Sequence, residues 1–300
     1  MWKLGTKRAR QTRGHHASDV ARRVPNKKGI YVKRIVIATI LTFWAVGTET
    51  YLIRSVYIPS PSDLVNALIG MLFPTGVDPA DNMLFRTHSF VEHFLLSVIR
   101  LYTGYVIGSV VGIYVGMWFG NSVWWAETVK GSTNLTGVIP KTAVLGLFAV
   151  NNLLGTEGVI STVALVSYYV AANGAISIAN DPKYERSNDA GRALGMSRTQ
   201  VLVAVSLPVA VEPMEASLRV GLWWSIGVLY IAEWIIAPNG MGKIYNVMVA
   251  NSQIAEMYVV IISVFTLSLP GYIALPLLGH VMKLPRFFVE MALQYQSRVK

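Results

Sequence analysis

The chain has 300 residues, 53% of them hydrophobic and only 14% charged, with a mean hydropathy of +0.46. Soluble domains carry about 25% charged residues, so this composition excludes intrinsic disorder and sets a soluble enzyme aside in favour of a chain packed in lipid. Cysteine is absent, which excludes a disulfide scaffold or a cysteine-ligated metal site, and the net charge of +10 turns attention to where the positive charge lies.

Residues 1–34 hold eleven of the 26 Lys and Arg, opposed only by Asp19. Such a run beside a long apolar stretch reads as a retained cytoplasmic tail attracted to anionic lipid headgroups, not as a nucleic-acid arm. It is too long for the basic region of a cleaved signal peptide. The remainder, 35–300, reads as one all-α transmembrane domain with apolar stretches near 35–53, 94–119, 132–150, 158–179, 217–236 and 258–279. Each of these six can cross about 30 Å of hydrocarbon, the third despite Pro140 and Lys141. With the tail inside, the segments 1–34, 120–131, 180–216 and 280–300 carry 11, 1, 4 and 4 basic residues, against Arg54, Arg86 and Lys243 outside. That asymmetry places both termini in the cytoplasm.

Between the first two spans, Leu64, Ala67, Leu68, Met71 and Leu72 fall on one helical face after a Pro-Ser-Pro turn, which predicts a short helix along the outer surface. The second span carries Gly104, Gly108, Gly112, Gly116 and Gly120, every fourth residue. Rows spaced by four form a ridge, and stripping the ridge of side chains makes a groove for another backbone.

Enzyme constellations are absent from the sequence. Among the five histidines only His88 and His93 are neighbours, and their spacing suits shared ligation poorly. Gly242-Lys243 is followed by Ile244 and has Ala237 where a phosphate loop needs glycine, so the chain is not expected to hydrolyse ATP. Charged residues in or near the spans are Glu49, Arg100, Lys141, Arg219 and Glu233. Arg100 and Glu233 fall toward the outer side, where structural pairing or a place on a solute path are both open. An ion-coupled carrier or channel acting alone predicts inverted repeats and buried coupling residues, and neither is visible.

The segment 180–216 is the most informative. Asp181-Pro182 marks a turn, Tyr184 to Leu194 a short helix, and Gly195 a bend with positive φ. Ser197-Arg198-Thr199-Gln200 has capping-box spacing, so a second short helix is expected from Ser197 toward Pro208. Two short helices meeting at a glycine would protrude into the cytoplasm in a shape suited to receiving a push from another protein.

These residues resemble a known family. Asp189-Ala190-Gly191, three residues, Gly195, nine residues and Val205-Ser206-Leu207-Pro208 is similar to the EAA loop of bacterial ABC importer permeases, whose pattern is EAA, three residues, Gly, nine residues, I-x-LP. Ile58-Pro59-Ser60-Pro61, Arg100 with the glycine ladder, Ile139-Pro140, Arg219 in SLRVGLWW and Ala232-Glu233 extend the likeness, over about 55–290, to the nitrate/sulfonate/taurine-type subfamily. The resemblance implies a type I importer fold in the bacterial cytoplasmic membrane, no enzymatic activity and no cofactor on this chain. It implies as partners a second permease copy in a homodimer, two cytoplasmic ATPase subunits holding ATP and Mg, and an extracytoplasmic solute-binding protein. Asp189, Ala190, Gly191, Gly195, Val205, Leu207 and Pro208 would then form the ATPase-docking loop. Asp189 for Glu and Gly191 for the second Ala depart from the family pattern.

Overall fold

A computed structural model describes residues 27–50, 52–54, 57–73, 89–120 and 155–277. Among these the order is α1 (Lys27–Glu49), α2 (Pro61–Leu72), α3 (Phe90–Gly120), α4 (Thr156–Ala179), α5 (Pro182–Ala193), α6 (Arg198–Val201), a π-helical segment (Leu202–Ser206), α7 (Leu207–Ile236), α8 (Met241–Ala250) and α9 (Ile254–Thr266). Five helical stretches are long and apolar enough to cross a membrane: Tyr31–Glu49, Phe90–Gly120, Thr156–Ala179, Pro213–Ile236 and Ile254–Leu277. They match the first, second, fourth, fifth and sixth expected spans. The third, 132–150 with Pro140 and Lys141, lies outside the described residues, as do 280–300 and most of the basic tail.

Backbone contacts divide the chain into two compact units, 1–62 and 63–300. Residues 27–34 are already helical, in keeping with the good helix propensity of Lys and Arg. In the first unit Trp44 Nε1 donates to the Pro59 carbonyl at 3.1 Å, and Ser62 donates to Glu49 at 2.7 Å. The exposed Ile35, Ile37, Ile40 and Phe43 give α1 a surface suited to hydrocarbon.

In the second unit α3 starts at Phe90, earlier than the expected 94, because Ser89 and Glu92 form a capping box: each backbone N–H is taken by the other's side chain, at 2.8 and 3.3 Å. Its 31 residues span about 46 Å. The glycine ladder lies on α4. A Cβ added at Gly104 would stand 2.6 Å from the Ile160 carbonyl oxygen, one at Gly112 2.5 Å from that of Tyr168, and one at Gly116 2.6 Å from that of Ala172. No side chain fits there, so the backbones meet directly.

The other face of α4 meets α7 through Val159, Val163, Leu222, Ile226 and Leu229, with Leu101 and Tyr105 of α3 closing the core. Across this apolar seam the buried hydroxyls of Ser167 and Ser225 bond at 2.8 Å. The last span breaks after α9 at Leu267-Ser268, where Tyr102 of α3 repairs the backbone: its hydroxyl donates to the Leu267 carbonyl at 2.7 Å and accepts the Gly271 N–H at 2.8 Å. A broken helix in lipid needs such substitutes. Gly271 also stands against Tyr102 and Leu222.

The expected helix after the Pro-Ser-Pro turn is α2. It buries Ala67 and Met71, while Leu68 and Leu72 are more than a third exposed. Its buried residues join Phe90, Met241, Ile244, Met248, Val259 and Val260. The stretch between the last two expected spans, which holds Lys243, contains a further helix, α8, whose Met241, Ile244 and Met248 fill this cluster.

Candidate functional site

At one end of the second unit the chain folds into a hairpin. Pro182 opens α5 with its fixed φ, and the Tyr184 and Glu185 N–H groups bond to the Asp181 carbonyl. The helix closes on Gly195, whose φ of +78° favours glycine. There Gly195 N–H donates to Arg192 and Met196 N–H to Gly191. The capping box then forms in full: Ser197 N–H donates to Gln200 Oε1 at 2.8 Å, and Gln200 N–H to Ser197 Oγ at 3.3 Å.

The second arm differs from the expected separate helix ending near Pro208. α6 runs through the π segment straight into α7, so residues 207–216 of the expected loop belong to a span helix. A proline lacks an N–H to give, and the wide π turn just before it accommodates that lack.

The arms are fastened from inside. Gly191 is buried, and a Cβ there would stand 3.3 Å from side-chain methyls of both Val201 and Val205, so an alanine would press on both. Asn188 and Ser206, also buried, are bonded at 2.8 Å. Tyr184 is buried against Met117 of α3, and burial holds its pKa above the ordinary tyrosine value, opposed by Ser206 and Asn188. Outward the hairpin presents Asp189, Ala190, Arg192 and the tip residue Leu194, which is 78% exposed. Asp189 and Arg192 stand 3.5 Å apart, both more than half exposed, a pairing worth little in water. Of the residues singled out by spacing, Asp189 and Ala190 thus form surface, Gly191 and Val205 hold the arms together, Gly195 makes the bend, and Leu207-Pro208 open α7.

At the opposite end of α3 lies a polar knot. Arg100 is 1% exposed and Glu233, near the end of α7, 0%. Their ion pair measures 3.0 Å. All five guanidinium donors are engaged: Nη1 with Glu233 and the Asn239 carbonyl, Nη2 with Thr156 and the Asn239 side chain, Nε with Thr156. Glu233 also accepts from Ser97 Oγ at 2.7 Å and from the Gly242 N–H at 3.1 Å. Ser97 Oγ takes the Met241 N–H and His93 Nδ1 the Gly240 N–H, each at 2.9 Å. The first amides of α8, which have no partner within their own helix, are therefore capped by side chains of α3 and α7, with a carboxylate at the positive end of the helix dipole. Gly240, at φ +114°, lets the chain pass directly over that carboxylate.

The sequence placed Arg100 and Glu233 toward one side but did not pair them, and it missed Ser97, His93 and Asn239. A signal existed: His93, Ser97 and Arg100 recur at i, i+4 and i+7, a polar stripe on an otherwise apolar helix. Arg219, another of the charges noted in the spans, pairs with Glu215 one turn earlier and lies over the Tyr272 ring at 4.9 Å. Among the described residues there is no cluster of three or more metal-ligating side chains.

No protein-family model matches the chain. Its fold is shared with a chain of the MetNI methionine ABC transporter in inward-facing conformations, at a TM-score of 0.51 and 17% identity over 62% of this chain and 94% of that one. The taurine transport system permease protein TauC of Escherichia coli is 26% identical over 231 residues, covering 76% of this chain and 79% of that protein. The choline transport system permease protein OpuBD of Bacillus subtilis is 32% identical over 167 residues, covering 54% of this chain and 70% of that protein. The chain belongs to the permease subunits of ABC importers.

In this permease every donor of Arg100 is taken, and the knot joins α3, α4, α7 and the start of α8. The hairpin keeps Tyr184, Asn188 and Val201 inside and leaves Asp189, Arg192 and Leu194 exposed.

Proposed function

We propose that the permease forms half of the membrane pathway of an importer built from two identical permease copies, two cytoplasmic ATPase subunits and an extracytoplasmic solute-binding protein, in the bacterial cytoplasmic membrane. The chain crosses six times with both termini inside. ATP and Mg are held by the ATPases, and this chain carries no cofactor. The hairpin 182–206 docks on the ATPase through Asp189, Ala190 and the exposed tip. One observation carries this reading: the hairpin is rigid within, exposed without, and continuous with the span helix α7. ATP-driven closure of the partner would therefore tilt α7 directly. The relatives named for taurine and for choline support a small organic solute.

Docking is tested by co-purification of the ATPase with variants that insert normally in the membrane. Asp189→Lys is expected to lower the retained ATPase about tenfold by reversing charge at the contact, while Asp189→Glu keeps it. Gly195→Val is expected to impair transport, since a β-branched residue resists positive φ. Full retention of ATPase and transport in Asp189→Lys and Gly195→Val would reduce the hairpin to a solvated connector. Topology is tested separately in this cysteine-free chain: single cysteines at Ser18 and Ser297 should label only from the cytoplasm, and one at Asn82 only from outside. Labelling of Ser18 and Ser297 from opposite sides would mean an odd number of spans.

A further inference from the structure

The hairpin is tied to α7 by the chain itself, but its tie to α3 rests on side chains. Arg198, the first residue of α6, is exposed, yet its guanidinium lies on Trp118 of α3. Its guanidinium carbon stands 4.7 Å from the centre of the indole ring, and Nη2 donates to the Trp118 carbonyl oxygen at 2.9 Å. Trp118 is braced in turn by Tyr114 one turn earlier, stacked at 5.9 Å and 18°. A solvated docking charge needs no fixed partner within its own chain, whereas this exposed arginine makes two directed contacts with a residue 80 positions away.

From Trp118 the path along α3 is stiff. The glycine ladder locks the helix to the α4 backbone, and Arg100 lies 18 residues before Trp118, about 27 Å along the axis, in the knot that also holds α7 and α8. We propose that Arg198 and Trp118 are the joint through which displacement of the hairpin is handed to α3 and so to the far end of the permease. The proposal rests on the reading of the hairpin as the ATPase-docking element and makes Arg198 a positioning residue, not a contact of the ATPase. Without the joint the partner would still bind and still push α7, but the end of α3 nearest the hairpin would lose its direct pull and follow only through the packed core.

A single Val91→Cys, exposed in the first turn of α3, serves as reporter because the chain has no cysteine of its own. In the complex purified with its ATPase, the rate of maleimide labelling is compared with and without ATP and vanadate. The parent should show a nucleotide-dependent change. Arg198→Ala and Trp118→Ala should each shrink it about tenfold, the size of losing a cation–π contact and a hydrogen bond, with retained ATPase and basal hydrolysis within about twofold of the parent. The double variant should be no worse than either single one, and Arg198→Lys, which keeps a cation over the ring, should restore part of the response. If Trp118→Ala reduces membrane insertion, Trp118→Leu keeps the bulk without the π face and carries the same expectation. A parent without a response, a silent Trp118 variant, losses that multiply in the double variant, or release of the ATPase by Arg198→Ala would each overturn the joint. Failure of the docking reading shows itself elsewhere, as ATPase retained by Asp189→Lys with transport unimpaired in Gly195→Val.

Discussion

Glu233→Ala should remove most folded permease from the membrane, and Arg100→Ala should do the same. Each substitution strands the other charge in a site with essentially no solvent access, and breaking a buried pair from one side costs about 3–5 kcal/mol. That is a large part of a total stability of about 5–15 kcal/mol. Glu233→Ala also takes the acceptor from Ser97 and from the Gly242 amide, so the start of α8 loses the charged part of its cap. Arg100→Lys should rescue poorly, because one ammonium cannot reach Glu233, Thr156 and both Asn239 oxygens as the planar fork does. The double variant Arg100→Leu with Glu233→Leu leaves no unpaired charge and should be milder than either alanine variant. The measurement is thermal denaturation of detergent-extracted permease followed by size-exclusion chromatography. Parental melting of both alanine variants would show that the knot is hydrated or dispensable.

Gly108→Leu should be nearly as damaging, for a different reason. An added Cβ at Gly108 falls on the backbone of Ala164, 2.8 Å from its carbonyl carbon and 2.9 Å from its Cα. Backbone cannot rotate aside as a side chain can, so even Gly108→Ala forces α3 and α4 apart. Overpacking an interior costs about 1–3 kcal/mol, and leucine here should reach the upper end of that range or pass it. Val110→Leu on the exposed side of the same helix should melt with the parent. Equal stability of Gly108→Leu and Val110→Leu would mean that the two backbones are not in contact in the membrane.

What could be read in advance was whatever repeats or caps within one helix. The glycine ladder is a period of four on a single element, and the bend at Gly195 with its Ser197–Gln200 box is local chemistry. Arg100 and Glu233 stand 133 residues apart, and nothing in a linear pattern states that two lone charges will meet. The polar stripe of His93 and Ser97 leading to Arg100 was the one available pointer. α8 has ten residues, too few to cross a membrane, so a search for spans does not register it. Pro208, toward which the second short helix is expected to run, sits instead where a π turn passes into the helix of the fifth span. The Arg198 contact was hidden behind its role in a capping box, which explains its backbone but not where its side chain goes.

The π segment Leu202–Ser206 lies in the stretch between Gly195 and Leu207-Pro208, whose length is a defining part of the loop's spacing. A π turn holds one residue more than the α-turn it replaces. The extra residue leaves the helix on either side close to its phase, whereas deleting a residue from the regular turns beside it would swing everything before it by about 100° around the axis of α7. The aim of the hairpin is therefore set by counting: outside the π turn a change in the number of residues re-aims it, while inside the turn one residue can be lost with little change of direction.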